Sequence, residues 1–579
     1  MSVSAFLDSC RNNAAKQLVD FVATLEITVT SDDISGLITR VKKGDGDLEF
    51  SVPKLNKFKK VKGNLKEFAA KWAADFKVEE PIVDVKSSGV NIIFTIDRVK
   101  LNALVLTDVL KMKDQYGSSK IGEGKTVIVE FSSPNIAKPF HAGHLRSTIT
   151  GNFIQNVYRF TGHNVIGYNY LGDWGKQYGL LAVGFPMFGS RAELEKDPIR
   201  HLYEVYVKVN QKAKEEGSTI DDQARAYFAR MEAGDGESLK LWKEFRDMSI
   251  EKYKEIYQRL NVSFDVYSGE SQVSEGMEQA FETMSEKKLL ELSQGATLIN
   301  LESYKKNLGK VLIKKTDGSS LYITRDVAAA KKRYDLHKFD KMIYVVGAAQ
   351  DLHFKQLFQV LKLMDYEWAD RCEHVNFGLV NGMSTRKGTA VFLEDILDEA
   401  KQVMAAKMAE NADKYAEVDN PDQVADLIGM SAVIIQDMSA KRHMNYDYNV
   451  DRMTRFEGET GPYLMYTHAR VCSIGRKSGV AVDPNADLSL LTEPAAHQVI
   501  DELLLFPEIV GQVVHNTQPV TLVMYLFKLC RTVNSAFVQL QVKGTEEKLA
   551  KARMVLFDAA RQVLRNGMVL IGLTPVERM

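Results

Sequence analysis

The sequence has almost no net charge, few cysteines and no long apolar run. Its 75 Lys and Arg residues balance 76 Asp and Glu residues, so no strong positive field predicts indiscriminate binding to phosphate polymers. The four cysteines form no C-x-x-C pair, which argues against a structural zinc site or a disulfide framework. No apolar segment approaches the roughly 18 residues that span a bilayer. The opening segment MSVSAFLDSC lacks the character of a signal or transit peptide, so we expect a cytoplasmic protein with no membrane partner.

The length of 579 residues predicts more than one domain, because a single hydrophobic core stops growing at roughly 250–300 residues. Hydrophobic residues make up 45% and charged residues 26%, the balance of a soluble globular protein. We expect three domains: an N-terminal α+β domain over residues 1–120, an α/β domain over 121–395 with helical insertions at about 185–310, and an all-α domain over 396–579.

The central domain begins with the pattern of a β-α-β unit. A β-branched run covers residues 126–131, apolar residues recur at helical spacing over 145–157, and a second strand pattern covers 164–170. Such units build a Rossmann-type parallel sheet, which further strand patterns at 341–348 and 374–380 extend. Ligands of these sheets gather at the carboxyl ends of the strands, so we expect the active site in the polar loops there.

After about residue 395 the strand patterns thin out and amphipathic helices follow. In the last predicted helix, apolar residues at spacings of three, four and seven share one face. They are Leu549, Ala552, Leu556, Ala560, Val563 and Leu570. An all-helical C-terminal domain of roughly 180 residues lies within the usual size range of a domain.

The sequence His141-Ala142-Gly143-His144 lies at the predicted start of the helix in the β-α-β unit. Two imidazoles three residues apart lie on the same side of a helix, beside free backbone amides and the positive end of the helix dipole. We expect phosphates to bind there, and Gly143 lets a base or ribose approach the backbone. For the motif alone two alternatives stay open. One is a metal site, although no third ligand follows at a recognisable spacing, and the other is a polar helix start without function.

The strand, the segment PNIAKPFHAGH and the helix together resemble the first signature of class I aminoacyl-tRNA synthetases, in its arginyl form. The segment GMSTRKG (382–388), which follows the predicted strand HVNFGLV, resembles the second signature. Further segments match the arginyl-tRNA synthetases in the family's order: NYLGDWGKQYGLLAVGF, WKEFRDMSIEKY, VYSGESQVS, LYITRDVAAA, FEGETGPYLMYTHARVCS and LTPVERM. The resemblance is to the cytosolic enzymes of eukaryotic, fungal-like type.

The resemblance implies ATP as a co-substrate, with Mg²⁺ carried on its phosphates and no dedicated metal site on the protein. ATP is expected to contact the residues that match the two signatures. These are His141, Gly143, His144, Met383 and Ser384. Catalytic roles are implied for His141, His144, Arg386 and Lys387, because positive and polar groups stabilise the charge that develops as the arginine carboxylate attacks the α-phosphorus.

Thr385 departs from the pattern of the class, in which a lysine stands at this position of the second signature. A threonine cannot neutralise a phosphate. Arginyl enzymes without that lysine typically carry one just upstream of the first signature, and Lys138 stands there. The resemblance therefore assigns Lys138 to the phosphates, and the alternative is a solvated loop lysine.

L-Arginine is the implied amino acid, and a guanidinium group needs planar carboxylate partners. The positions that match the family's arginine site are Glu130, Asn135, His141, Tyr322, Asp326 and Gln350. Each has a plainer alternative when taken singly: Glu130 as a helix cap or ion-pair partner, Tyr322 as a packed ring, and Asp326 as an exposed charge. Together they predict one pocket, whose charged hydrogen bonds reject analogues by a factor on the order of 10⁴ without editing.

The implied macromolecular partner is tRNA(Arg), because the helical C-terminal domain resembles the anticodon-binding bundle of the family. Candidates for contact with unpaired bases are Tyr463, Tyr466, His468, Phe537 and Met579, and candidates for phosphate contact are Arg470, Arg476 and Lys477. Aromatic residues at helical spacing more often form a core, so both interpretations stay open for each residue. The six lysines of residues 54–66 form either a solvated face or an RNA contact.

The expected enzyme is a monomer that forms arginyl-adenylate and pyrophosphate and then transfers arginine to the 3′ end of tRNA(Arg). The family forms the adenylate only with tRNA bound, and the resemblance implies the same here. One rival is a small-molecule ligase built on the same nucleotidyl-transfer core, against which the helical C-terminal domain argues. The other is a catalytically silent RNA-binding or scaffold paralogue, against which the intact residues of both signatures argue.

Overall fold

The structure, a computed structural model, describes residues 2–41, 45–136, 138, 140–316, 322–381 and 392–579. The chain forms two compact units, each of which gathers segments that are distant in sequence. Unit 1 comprises Met1–Tyr116, Ile474–Leu505 and Arg531–Val563, and unit 2 comprises Gly117–Ser473, Phe506–Cys530 and Leu564–Met579. The domain boundaries expected from the sequence stay predictions.

The N-terminal part of unit 1 combines helices with an antiparallel sheet of order β1-β2-β4-β3. Its elements are α1 (Val3–Ala23), α2 (Ser31–Ser35), β1 (Thr39–Arg40), β2 (Leu48–Ser51), α3 (Leu65–Asp75), β3 (Ile82–Ser88), β4 (Asn91–Ile96) and α4 (Arg98–Met112). The carboxylate of Asp97 caps α4 by accepting the backbone N–H of Lys100 at 3.0 Å. The segments of this unit are joined by Arg98, whose guanidinium pairs with Asp47 at 2.7 Å and Asp501 at 2.8 Å. The predicted α+β character of the N-terminal segment is therefore what the structure has.

Unit 2 is built on a five-stranded sheet in which every neighbouring pair of strands is parallel. Its strands are β5 (Thr126–Glu130), β6 (Asn164–Leu171), β7 (Val266–Gly269), β11 (Lys341–Gly347) and β12 (Cys372–Phe377), in the order β12-β11-β5-β6-β7. Helix α5 (Ala142–Phe160) connects β5 to β6, as predicted. The chain leaves β5 toward β6 on one side and β11 lies on the other. The carboxyl ends of β5 and β11 thus form a topological switch point, where ligands of such sheets bind.

The predicted insertion at about 185–310 is helical only in its first part. The helices are α6 (Lys176–Phe188), α7 (Arg191–Lys196), α8 (Pro198–Ala213), α9 (Ile220–Glu232), α10 (Gly236–Arg259) and α11 (Ser274–Glu286). The expectation is wrong for β7, which belongs to the parallel sheet, and for the antiparallel strands β8 (Glu291–Ser293), β9 (Ala296–Asn300) and β10 (Lys310–Lys314). Gln294 and Gly295 both have positive φ (51° and 79°), as a two-residue hairpin turn between β8 and β9 requires. Because these strands are only three to five residues long, they carry a weak strand pattern.

Two further helices, α12 (Tyr322–His337) and α13 (Asp351–Leu363), complete the α/β part of unit 2. The C-terminal region is helical, as predicted: α14 (Leu393–Ala409), α15 (Ala412–Ala416), α16 (Pro421–Met438), α17 (Val450–Met453), α18 (Gly461–Ser478), α19 (Pro494–Asn516), α20 (Pro519–Gln539) and α21 (Glu547–Leu570). Five of the six apolar residues assigned to one face of α21 are buried, and Leu549 is half-buried. A two-residue parallel pair, β13 (Val380–Asn381) with β14 (Tyr446–Asp447), is an addition that the sequence did not predict.

Candidate active site

Helix α5 begins with a reciprocal cap made by its two histidines. His141 is the N-cap residue, and its Nδ1 accepts the backbone N–H of Gly143 at 3.0 Å. His144 lies three residues on, and its Nδ1 accepts the backbone N–H of His141 at 3.2 Å. The two ring centroids are 4.2 Å apart, so both imidazoles lie on one side of the helix start, as the spacing predicts. The backbone amides of His141 and Gly143, which were expected to be free, are therefore engaged by the imidazoles.

Gly143 is required by this cap. A Cβ on Gly143 would lie 2.9 Å from Cε1 of His141, closer than real Cβ contacts. Any larger residue would push the His141 ring away from the amide that it caps. The glycine therefore serves the local geometry of the cap, in addition to the nucleotide approach that was predicted for it.

Both imidazoles are neutral near neutral pH. Burial, the neighbouring His141 and the charge of Lys138 together lower the pKa of His144 to about 3. Burial and the Lys138 charge also lower the pKa of His141. Because each Nδ1 accepts a hydrogen bond, the neutral tautomer carries its proton on Nε2. The site thus presents two Nε2–H donors, and not two cations, to a phosphate.

Glu130, at the carboxyl end of β5, has a protein partner. Its Oε2 lies 2.5 Å from Nη1 of Arg333, and both side chains are buried. The Arg333 guanidinium also lies over the rings of Tyr168, Tyr170 and Tyr344, at 5.2, 5.0 and 5.8 Å from the ring centroids. Burial raises the pKa of Glu130 and the Arg333 charge opposes that rise. Glu130 is thus an ion-pair partner, the alternative role given for it above. Direct contact of Glu130 with a substrate stays a prediction.

A cavity of about 1100 Å³ opens at the carboxyl edge of the sheet. It brings together Asn135, Lys138 and Tyr322 from the predicted set, and its lining also includes Glu270 and Arg325. The amide of Asn135 donates to Oε1 of Gln177 at 3.4 Å. Tyr322, at the start of α12, keeps 67% of its surface exposed, so its ring is not a packed core ring. Lys138 from the first signature segment thus shares a cavity with two residues predicted to bind arginine.

Glu270 is a candidate residue that the sequence analysis did not single out. It follows directly after β7 and pairs with Nη1 of Arg325 at 2.9 Å. Burial raises its pKa to about 7, and the charges of Asp326 and Asp173 raise it while Arg325 lowers it. A carboxyl with a pKa near 7 in a cleft at a strand end is typical of a functional site. Its position at a strand end, inside the family-like segment VYSGESQVS, was the available signal.

Asp326 lies on the same face of α12 as Tyr322, as the spacing of four predicts. Its Oδ2 accepts a hydrogen bond from Nε2 of His353 at 2.6 Å. The Asp326 charge raises the pKa of Glu130 and of Glu270, so the three carboxylates lie within electrostatic range of one another. Gln350, three residues before His353, is exposed and ends the turn Ala348–Gln350 after β11.

The carboxylates outnumber the cations in this group. Glu130, Glu270 and Asp326 face the guanidinium groups of Arg333 and Arg325. Burial raises the pKa of Glu130, and it raises that of Glu270 to about 7, so a bound cation that favours the ionised forms would be stabilised by this group.

The predicted residues of the second signature, Met383, Ser384, Thr385, Arg386 and Lys387, lie outside the described residues. The residues on either side of them make side-chain contacts. Before them, Asn381 Nδ2 donates to Asp447 Oδ1 at 3.1 Å. After them, the ring of Phe392 lies 4.3 Å from the Arg200 guanidinium, which also pairs with Asp395 at 2.9 Å.

Arg146, one turn into α5, connects the first signature to the strand that leads toward the second. It is 1% exposed, and its Nη1 donates to the carbonyl oxygens of Gly378 at 2.7 Å and Met444 at 3.0 Å. Its Nη2 donates to the carbonyl of Arg442 at 3.1 Å, and its Nε lies 2.7 Å from Oδ2 of Asp437. One side chain thus ties α5 to the end of β12 and to α16.

The candidates for tRNA contact differ in their surroundings. Tyr466 and Met579 line a cavity of about 360 Å³, together with Tyr415 and Phe456. Tyr463 is half-buried, with its ring 6.5 Å from that of Phe527. Phe537, in unit 1, stacks on the buried Phe557 at 4.9 Å. His468 is buried, with Nδ1 at 2.8 Å from the carbonyl of Val576, so it is part of the packed interior.

Two lysines of the predicted basic face in unit 1 are engaged within that unit. Lys54 Nζ donates to the carbonyl of Leu37 at 2.9 Å, and Lys59 Nζ donates to that of Glu26 at 3.0 Å. The question of a solvated face or an RNA contact therefore concerns the remaining lysines, and it stays open.

Within the described ranges, no group of three or more His, Cys, Asp or Glu side chains is arranged to hold a metal ion. In that same part of the chain, no helix combines the length and the apolar character that crossing a membrane requires.

Solved structures share this fold. Arginyl-tRNA synthetase of Thermus thermophilus superposes with a TM-score of 0.79 at 19% identity, over 98% of this chain and 100% of that one. The enzyme of Plasmodium falciparum superposes with a TM-score of 0.76 at 23% identity, over 94% of each chain. At these identities the likeness establishes the fold alone, and it confirms the predicted α/β core with a helical C-terminal region.

Sequence comparison identifies the family. The model for the catalytic domain of "tRNA synthetases class I (R)" matches residues 105–450, and that for the "DALR anticodon binding domain" matches residues 464–579. The probable cytoplasmic arginine–tRNA ligase of Dictyostelium discoideum is 50% identical over 576 residues, covering 95% of this chain and 98% of the relative. The cytoplasmic arginine–tRNA ligase of Saccharomyces cerevisiae is 52% identical over 545 residues, covering 92% and 89%. The chain belongs to the arginyl-tRNA synthetase family of class I, which confirms the resemblance seen in its motifs.

Proposed function

We propose that this protein is an arginine–tRNA ligase, which uses ATP to activate L-arginine and then transfers the arginyl group to the 3′ end of tRNA(Arg). The observation that carries the proposal is the group of three carboxylates, Glu130, Glu270 and Asp326, in the same unit as the histidine-capped helix start. The names of the relatives and the two matched domains support the same activity.

The guanidinium of arginine binds among these carboxylates. Asp326 and Glu270 supply partners for charge-assisted hydrogen bonds, which are about twice as strong as neutral ones. Glu130, held by Arg333, contributes its charge from the buried side of the site. Tyr322, Asn135 and Gln350 complete the site with an exposed ring and two amides. Lysine and neutral analogues are rejected because they leave the planar carboxylate pairs incompletely bonded.

The phosphate groups of ATP bind at the start of α5. His141 and His144 donate from Nε2, and Gly143 lets the nucleotide approach the backbone. Lys138 supplies the positive charge that Thr385 cannot, since it lines the cavity and its field already reaches both histidines. Met383 and Ser384 contact the nucleotide. The positive charges of Arg386 and Lys387 stabilise the leaving pyrophosphate. These groups hold the arginine carboxylate in line with the α-phosphorus and stabilise the charge of the transition state.

Mg²⁺ accompanies ATP in this proposal and is held by phosphate oxygens and water, as its preference for oxygen ligands and retained waters favours. We further propose that the enzyme works as a cytoplasmic monomer, a location that the names of the Dictyostelium and Saccharomyces relatives support. Light scattering of the purified chain tests the oligomeric state.

Recognition of tRNA(Arg) is assigned to the C-terminal helices. Tyr466 and Met579 are the best-placed candidates for an anticodon base, because they share one cavity. Tyr463, half-buried in the same unit, is the next candidate there, and Phe537 is a separate candidate in unit 1.

The test is arginine-dependent pyrophosphate exchange with labelled ATP, run with and without tRNA. We expect exchange with arginine alone among the amino acids, and only when tRNA is present. Exchange with another amino acid would overturn the substrate, and equal exchange without RNA would overturn the tRNA requirement. Binding of deacylated tRNA separates the synthetase from a small-molecule ligase, and any exchange activity excludes a silent scaffold.

A further inference from the structure

His353 holds Asp326 from a different helix. The imidazole belongs to the first turn of α13, and the carboxylate belongs to the second turn of α12. Their atoms Nε2 and Oδ2 are 2.6 Å apart, and the side chains are 24% and 28% exposed. The pair is therefore partly shielded from water, one helical turn beyond Tyr322, which lines the cavity.

We propose that His353 is a positioning residue that fixes the carboxylate of Asp326 for recognition of the arginine guanidinium. This inference rests on the function proposed above, in which Asp326 is a guanidinium partner. His353 itself touches no substrate in this account. It acts through the orientation of Asp326.

Repulsion between neighbouring carboxylates is the reason that Asp326 needs a partner that holds it in place. The charge of Asp326 raises the pKa of both Glu130 and Glu270, so each of these carboxylates repels Asp326 in turn. The Asp326 side chain has solvent on one side, and repulsion from two carboxylates drives it toward that solvent. A donor on α13 opposes this movement by a charge-assisted hydrogen bond.

The geometry of a carboxylate allows His353 and a substrate to bind it together. An aspartate torsion about the last bond is broad and poorly fixed by sterics alone, so one hydrogen bond decides its orientation. The two oxygens offer about four acceptor directions, and His353 takes one of them. The others remain for the two parallel N–H groups of a guanidinium. A neutral imidazole suffices as the donor, and it adds no positive charge beside the carboxylates.

The inference predicts a specific kinetic signature. Replacing His353 by alanine frees the Asp326 carboxylate, and we expect the KM for arginine to rise about ten-fold, the lower end of the effect seen when a partner that orients a ligand-binding side chain is removed. The KM for ATP and kcat stay within about two-fold, because the phosphate groups are untouched. His353→Gln places an amide donor near the position of Nε2 and restores the KM for arginine.

The experiment measures tRNA-dependent pyrophosphate exchange of the full chain for wild type, His353→Ala, His353→Gln and a control. The matched control is Lys355→Ala, an exposed residue on the same helix, which should behave as wild type. A merely structural role of His353 would lower kcat and the thermal midpoint together and would not be rescued by glutamine. An unchanged KM for arginine in an active His353→Ala enzyme overturns the inference.

A double-mutant cycle with Asp326→Asn provides a second measurement. If His353 acts through Asp326, His353→Ala adds no further rise in the KM for arginine on the Asp326→Asn background. Additive effects overturn the inference. A wild-type enzyme that lacks arginine-dependent exchange overturns the proposed function itself, and this inference with it, whereas an active wild type with an unaltered His353→Ala overturns this inference alone.

Discussion

Arg146 and Asp437 form an ion pair at the centre of unit 2, with 2.7 Å between Nε and Oδ2. Both side chains are nearly inaccessible, at 1% and 3% exposure. The same guanidinium donates to three carbonyl oxygens and lies 5.1 Å from the centroid of the Tyr446 ring. The pair therefore joins helix α5, which carries the histidines, to helix α16 of the C-terminal region.

Arg146→Met is expected to destabilise unit 2 by about 3–5 kcal/mol, because it leaves the Asp437 carboxylate buried without its cation. Chemical denaturation followed by circular dichroism measures the loss. The control is Lys243→Met, which removes an exposed pair with Asp247 and should cost about 1 kcal/mol or less. Replacing Asp437 by leucine in the Arg146→Met variant should recover part of the loss. Equal stability of Arg146→Met and wild type would contradict this account.

Lys138→Ala is expected to slow arginyl-adenylate formation about 100-fold while the KM for arginine changes little. Lys138 lines the cavity three residues before His141, and in the proposal its charge replaces that of the lysine that the second signature lacks. Pyrophosphate exchange at saturating tRNA measures the effect. Lys138→Arg should keep most of the rate, and Lys120→Ala, an exposed lysine, serves as the control. Wild-type turnover in Lys138→Ala would leave the phosphates without the proposed partner.

Glu270 is expected to make folding stability fall as the pH rises between about 4.5 and 7. Its pKa is about 7 in the folded chain, against 4.5 for an ordinary exposed glutamate carboxyl. Over that window the unfolded chain has released the proton and the folded chain still holds it. The contribution of Glu270 to the free energy of unfolding is therefore fully present below pH 4.5 and is lost above pH 7. The difference of about 2.5 pH units corresponds to about 3 kcal/mol.

The glutamine in Glu270→Gln cannot titrate, so the stability of the variant relative to wild type should rise as the pH rises. Thermal midpoints of both proteins at pH 5 and pH 8, without arginine, measure this. Saturating arginine should diminish the difference, because a bound guanidinium favours the ionised carboxylate. Parallel pH curves for the two proteins would show that Glu270 titrates as an ordinary carboxyl.

Tyr466→Ala is expected to raise the KM for tRNA(Arg) about ten-fold, since stacking of one base on an aromatic ring contributes about 1–3 kcal/mol. The KM values for arginine and ATP should not change, because the cavity lined by Tyr466 and Met579 contains none of the predicted catalytic residues. Aminoacylation at varied tRNA concentration measures the effect. Tyr466→Phe keeps the ring and should bind tRNA as wild type does. If both variants bind tRNA normally, Tyr466 is a packing residue.

The sequence predicted those parts of the fold that have strong local patterns. The β-branched run of β5 and the helical period of α5 leave little ambiguity, and both lie where they were expected. Strand β7 has only four residues at a sheet edge, and the three strands from Glu291 to Lys314 have three to five residues each. Short edge strands of this kind are fixed by tertiary contacts, which no local pattern contains.

The same division applies to the site. His141 and His144 are three residues apart, so their proximity follows from helix geometry. Arg333 and His353 approach Glu130 and Asp326 only through the packing of α12 and α13 on the sheet, and their own sequence surroundings are ordinary for helices. The partners of the carboxylates, unlike the carboxylates, could therefore be found only from the structure.

The reciprocal histidine cap of α5 divides each imidazole between two roles. Nδ1 of each ring accepts a backbone N–H and so stabilises the start of the helix. Nε2 of each ring carries the proton and is the donor in the phosphate contact proposed above, so the fold itself selects the tautomer that the proposed chemistry uses.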